Sequence, residues 1–137
     1  MMTRTGSKKT VDSEFWKGRL DSARAFRRLA ESAIILTETG VDANPIISNV
    51  VMSTIAYVDC LTAKRANVVN QQDHSAAPQL LRDVLGAALP TTQANRIRRI
   101  VGHKDASQYG ARPATLAQAR RLLDDLVELA NWVDGQL

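Results

Sequence analysis

Cysteine is almost missing from this chain. Cys60 stands alone in 137 residues, so neither an internal disulfide nor a cysteine-built zinc site can form. Histidine is nearly as scarce. His74 and His103 lie far apart, with no ligand-rich neighbourhood, and a structural metal is not expected. Aromatic residues make up only 4% against 45% hydrophobic, which leaves Leu, Ile, Val and Ala to build the core. Such side chains suit closely packed helices. The sequence also has no Gly-rich phosphate loop, no internal repeat and no alternating stretch long enough for a sheet. No apolar run is read as reaching the ~18 residues of a membrane span. The opening MMTRTGSKKT is basic but has no apolar segment of the secretory kind. The expectation is an intracellular, cytoplasmic protein without membrane contact, metal or cofactor.

What is present is one domain's worth of chain and a modest basic excess. Eighteen Lys and Arg oppose fourteen Asp and Glu, for a net charge of +4. That margin suits an anionic partner, yet it also occurs in many soluble domains and does not by itself name nucleic acid. Residues 1–12 read as a flexible basic tail and residues 13–137 as a single helical domain.

Asp12 or Ser13 can cap a first helix that runs towards Gly40. Its apolar stripe is Phe15, Trp16, Leu20, Ala23, Phe26, Leu29, Ala30, Ala33 and Ile34. Asn44-Pro45 restarts the chain as cap and first helical residue, and the second helix, to about Val69, is apolar nearly all round. It should lie at the centre, with Asp59 at the core margin, able to meet water or orient a cation. A third helix over about 76–89 starts near Asp73 or Ser75, with His74 as a turn residue. Pro90 ends it, and a fourth covers about 92–102. After a loop through Tyr109–Arg112, Pro113 and Thr115 open a last Leu-rich helix.

The chemistry concentrates in Arg96–Gly110, RIRRIVGHKDASQYG. On a continuous helix Arg96, Arg99 and His103 would share a face, with Arg98 pointing elsewhere. A histidine can move a proton to or from a ribose hydroxyl or leaving oxygen, while an arginine stabilises charge on phosphate. Together they suit metal-free RNA cleavage. The same residues also suit a solvated helix C-terminus, where cations are favoured by the dipole, and residue types alone favour that reading.

Several segments resemble a HEPN domain (higher eukaryotes and prokaryotes nucleotide-binding). They are Ala56-Tyr57-Val58-Asp59 in the second helix, Asp73-His74 ahead of Leu80-Leu81, and above all Lys104-Asp105-Ala106-Ser107-Gln108-Tyr109-Gly110 before the final helix. The last of these is similar to a signature of many small bacterial members. The resemblance covers about Phe15 to Leu137. It implies an all-α fold: an antiparallel helical bundle of four long helices plus a short one, usually a homodimer with its polar motif lining the dimer cleft.

Active members are metal-independent endoribonucleases, often toxins paired with a nucleotidyltransferase-type antitoxin. Two registers of the motif are open here. Arg98, or Arg96, with His103 would make the catalytic pair. Alternatively Lys104 takes the arginine position, Asp105 the polar one and Tyr109 the histidine one. The second preserves the distance to the final helix. It replaces arginine's planar fork by a point charge, and histidine by a phenol with a pKa near 10. The leading expectation is therefore a non-catalytic or weakly active HEPN-like dimer that binds a protein partner or RNA. Arg96, Arg99, Lys104, Asp105 and Tyr109 would line the binding surface. The alternatives are an active ribonuclease toxin using Arg98 and His103, and a purely structural dimerisation module.

Overall fold

The computed structural model describes residues 8–71 and 74–137. Three helices are long: α1 (Phe15–Leu36), α2 (Asn44–Ala66) and α6 (Leu116–Gln136). Three are shorter: α3 (Ala77–Leu85), α4 (Thr91–Val101) and α5 (Lys104–Tyr109). The fold is all-α in character, as expected. Its inventory differs from four long helices plus a short one.

α1 and α2 form an antiparallel hairpin, because contact partners on α2 fall in number as those on α1 rise. Trp16 lies under the Lys64 ammonium at 4.2 Å, Arg19 meets Asp59 at 3.1 Å, and the Ala23 carbonyl accepts from Ser53 Oγ at 2.7 Å. α6 runs the other way relative to α1, with Arg24 on Asp134 at 3.2 Å. It is therefore parallel to α2. Their starts are joined by Ala43 N–H to the Ala114 carbonyl at 3.0 Å, and their ends by Arg65 to Gln136 at 3.2 Å. The long connection through α3, α4 and α5 returns the chain to the starting end.

α2 is central, as its all-round apolar sequence predicts. Val50, Val51, Ile55, Ala56, Cys60 and Leu61 have no exposed surface, and Leu126, Leu129 and Ala130 of α6 close over them. The helix is in fact long and apolar enough to cross a membrane, against the reading that no run is. However, 83% of its most apolar window is buried inside the molecule, as a core helix requires. Its buried hydroxyls are satisfied within the helices: Thr54 Oγ1 donates to the Val50 carbonyl and Ser53 Oγ to that of Ala23.

Asn67, in the left-handed region at φ 54°, ends α2. The chain then forms strand β2 (Val68–Asn70), antiparallel to β1 (Lys8–Thr10), with Lys9 opposite Val69. Part of the expected tail is thus a strand, and a small sheet exists where none was expected. Three residues a side are too few for period-two alternation to show. Asp73, the candidate cap of α3, and the side chain of His74 lie outside the described residues. The backbone of His74–Ala76 makes one 3₁₀ turn before α3.

Two loops at one end of the bundle are clamped together. Asp42 Oδ1 accepts the N–H groups of Asn44 (3.0 Å) and Ala114 (2.9 Å), while Asn44 Nδ2 donates to the Arg112 carbonyl (2.8 Å). Those two N–H bonds hold the Asp42 carboxyl below its ordinary pKa. Asn44 is thus the first residue of α2 rather than its cap, with Ala43 before it. Thr115, expected to open the last helix, is the N-cap of α6. Its Oγ1 accepts from Gln118 N–H at 3.1 Å, and Gln118 Oε1 accepts from Thr115 N–H at 2.9 Å, a complete capping box.

Candidate anion-binding groove

α4 is held by Ile97 and Ile100, both without exposed surface, and by Val101. Burying that stripe fixes where the arginines between them point. Arg98 and Arg99 emerge to solvent and Arg96 is half-buried. The helix stops at Val101, and Gly102-His103 turns the chain into α5. His103 N–H donates to the Ile100 carbonyl at 3.0 Å, and its own carbonyl accepts from Ser107 N–H at 2.9 Å. The turn therefore belongs to both helices, and the half-buried His103 sits at their corner.

Facing this corner is α6. An open groove of ≈ 850 Å³ lies between them, lined by Arg98, Arg99 and His103 on one side and by Arg121, Asp124 and Asp125 on the other. Asp125 is the hinge of its electrostatics. Arg99 grips it as a fork, Nη2 to Oδ1 at 2.9 Å and Nε to Oδ2 at 3.3 Å, which raises the guanidinium pKa. Arg96 Nε approaches the same Oδ1 at 3.7 Å and has no hydrogen-bond partner among the described residues. One carboxylate thus serves two arginines. Arg98 Nη1 donates only to the neutral Asn95 Oδ1, at 3.1 Å. Neither Arg98 nor Arg121 has an ion pair among the described residues. These are the free cations of the groove.

Arg98 also edges a second hollow, ≈ 480 Å³, whose far wall carries Arg82. The two hollows share Arg98, so Arg82 and Arg121 each line a hollow that Arg98 borders.

Of the residues singled out from sequence, Arg98, Arg99 and His103 come together, and Arg96 stands behind them against Asp125. Lys104, Asp105 and Tyr109 do not join the lining. They sit on α5, which was expected to be a loop and is instead a short helix packed on α2. Ser107 is its buried residue, with Oγ donating to the Lys104 carbonyl at 3.0 Å, and Tyr109 is 78% exposed. The α6 half of the groove was missed. Its signal was in the sequence as Arg121 and Asp125, four apart and so on one helix face.

A second charged feature lies inside the hairpin. Asp59 is buried, deeper than the core margin, and Arg19 places both Nη2 (3.1 Å) and Nε (3.2 Å) on its Oδ2. Oδ1 has no partner among the described residues. Burial pushes this carboxyl up to about 6, against the opposing pull of Arg19. Burial likewise pushes the Cys60 thiol up to about 11, so it behaves as an inert core residue. No family model, curated protein or solved structure matches this chain.

Proposed function

We propose that this chain is a HEPN-like helical module that binds single-stranded RNA along the Arg82–Arg98–Arg121 track without cleaving it efficiently. The observation that carries this reading is the pair of hollows that share Arg98 in their lining, with Arg98 and Arg121 in no ion pair among the described residues. Phosphates spaced along a flexible strand meet such a track better than a single small anion would. Arg99 serves as structure here, because Asp125 already occupies its fork.

Binding is favoured over cleavage on chemical grounds. Transfer through a ribose hydroxyl needs a group to take a proton and a group to give one. His103 is the one lining side chain whose ordinary pKa lies near neutrality. Asp125, one of the two lining carboxylates, is committed to Arg99 and Arg96. Lys104 and Tyr109, the alternative family positions, are outside the groove lining.

The placement of Arg98 and His103 in one groove supports a second reading, a metal-independent ribonuclease that pairs with an antitoxin. Incubation of labelled single-stranded RNA with the protein in EDTA separates the two. The expected result is retained, intact RNA whose binding is lost in Arg98→Glu. Rapid cleavage abolished by His103→Ala would overturn the binding reading in favour of the ribonuclease.

A further inference from the structure

The smaller hollow differs from the groove in the charges of its lining. Asp124 and Asp125 line the groove, whereas no carboxylate lines the hollow. Arg82 borders it from α3 and Arg98 from α4, and neither is in an ion pair among the described residues. Asp83, next to Arg82 in sequence, stays outside the lining and accepts from Gln79 Nε2 at 2.9 Å. Asn95 gives its Oδ1 to Arg98 Nη1, which leaves its Nδ2 as a further donor, and Thr91 adds a hydroxyl. The remaining walls are glycine, alanine and leucine and offer no side-chain acceptor.

We infer that this hollow holds the singly esterified phosphate at the end of an RNA strand. The inference rests on the RNA reading and adds which part of the strand goes where. An internal phosphodiester carries one negative charge, and a terminal phosphate about 1.5 to 2. The additional charge gains beside two unpaired guanidinium groups and loses beside Asp124 and Asp125. The end therefore belongs in the hollow, and the interior of the strand in the groove. A terminal phosphate also presents three free oxygens where a diester presents two, which suits donors arriving from two helices. At ≈ 480 Å³ the hollow has room for the adjoining sugar as well, against Leu89. Arg98 borders both spaces and so serves the end and the strand beside it.

Competition against a labelled strand tests this, using unlabelled single-stranded RNAs of one sequence with a 5′-phosphate, a 3′-phosphate or hydroxyl ends only. One phosphorylated form should bind about tenfold more tightly than the hydroxyl-ended strand, the scale of one added charge-assisted hydrogen bond, and its identity tells which end is held. Arg82→Gln should remove that preference. Ala87→Glu sets a carboxylate in the lining without deleting a donor, and should remove it too while hydroxyl-ended RNA still binds. Both positions are exposed, so thermal unfolding should stay close to that of wild type. RNA bound equally whatever its ends would overturn the inference and leave the RNA reading standing. A preference that survives both substitutions would also overturn it, because the phosphate would then sit elsewhere. Failure of every RNA to bind would overturn the inference and the RNA reading together.

Discussion

Asp59→Asn isolates the one buried carboxylate of the central helix, and its effect should depend steeply on pH. The native carboxyl titrates at about 6, against 3.8 for the free side chain. The folded state therefore holds the proton more tightly than the unfolded chain. Stability from this group is complete below about 3.8, falls as pH rises towards 6, and is flat above. The gap of about 2 units corresponds to about 3 kcal/mol in full, of which about four fifths falls between about pH 4 and pH 7.

The structural origin is burial, which Arg19 offsets only in part, since its two nitrogens share Oδ2 and Oδ1 is buried without a partner among the described residues. Asparagine cannot titrate. Thermal unfolding of both proteins across this range should show wild type losing about 8 °C relative to the variant, taking an unfolding entropy of about 2.1 cal/mol/K per residue. The comparison also cancels Asp42, whose lowered pKa acts in the opposite direction at lower pH. Parallel curves for wild type and Asp59→Asn would show that Asp59 is not titrating from a buried state, and the reasoning would fail.

Three further substitutions probe the parts that position the groove. Gly110→Ala would place its Cβ 2.5 Å from the Ala106 carbonyl oxygen, a clash with backbone. The last turn of α5 must then shift, at a cost of about 1–3 kcal/mol in chemical denaturation. Thr115→Val keeps the shape but removes the hydroxyl that accepts Gln118 N–H, so about 1 kcal/mol of stability should be lost. Asp125→Asn breaks an ion pair whose Arg99 side chain is 55% exposed, so stability should change by less than about 1 kcal/mol. It also releases Arg96 and Arg99 into the groove, and RNA affinity measured by fluorescence anisotropy should rise.

The long helices were legible because each carries its own periodic signal. α2 is apolar on every side and lies at the centre. Thr115 and Gln118 have the spacing of a capping box. The signals failed where structure depends on distant partners. Lys8–Thr10 becomes a strand only because Val68–Asn70 lies opposite, which no local pattern records. Leu29 fits a helical stripe in sequence, yet 56% of it is exposed because the α1 stripe is wider than the surface α2 and α6 offer.

The groove was half visible for the same reason. Arg98, Arg99 and His103 are neighbours in sequence, but Arg121 and Asp125 join them only through the packing of α4 on α6. The basic run Arg96–Lys104 looked continuous, and the turn at Gly102 divides it between a helix facing the groove and a helix facing α2.

The salt dependence of RNA affinity tests the groove most directly. Each phosphate contact contributes about 0.7 to the slope of log affinity against log salt for a single strand. Arg98→Glu with Arg121→Glu removes two such contacts, so the slope should flatten by at least about 1.4, with no change in thermal stability beyond that of surface substitutions. An unchanged slope, or equal RNA affinity in wild type and double variant, would contradict the assignment of this groove as the RNA-binding surface.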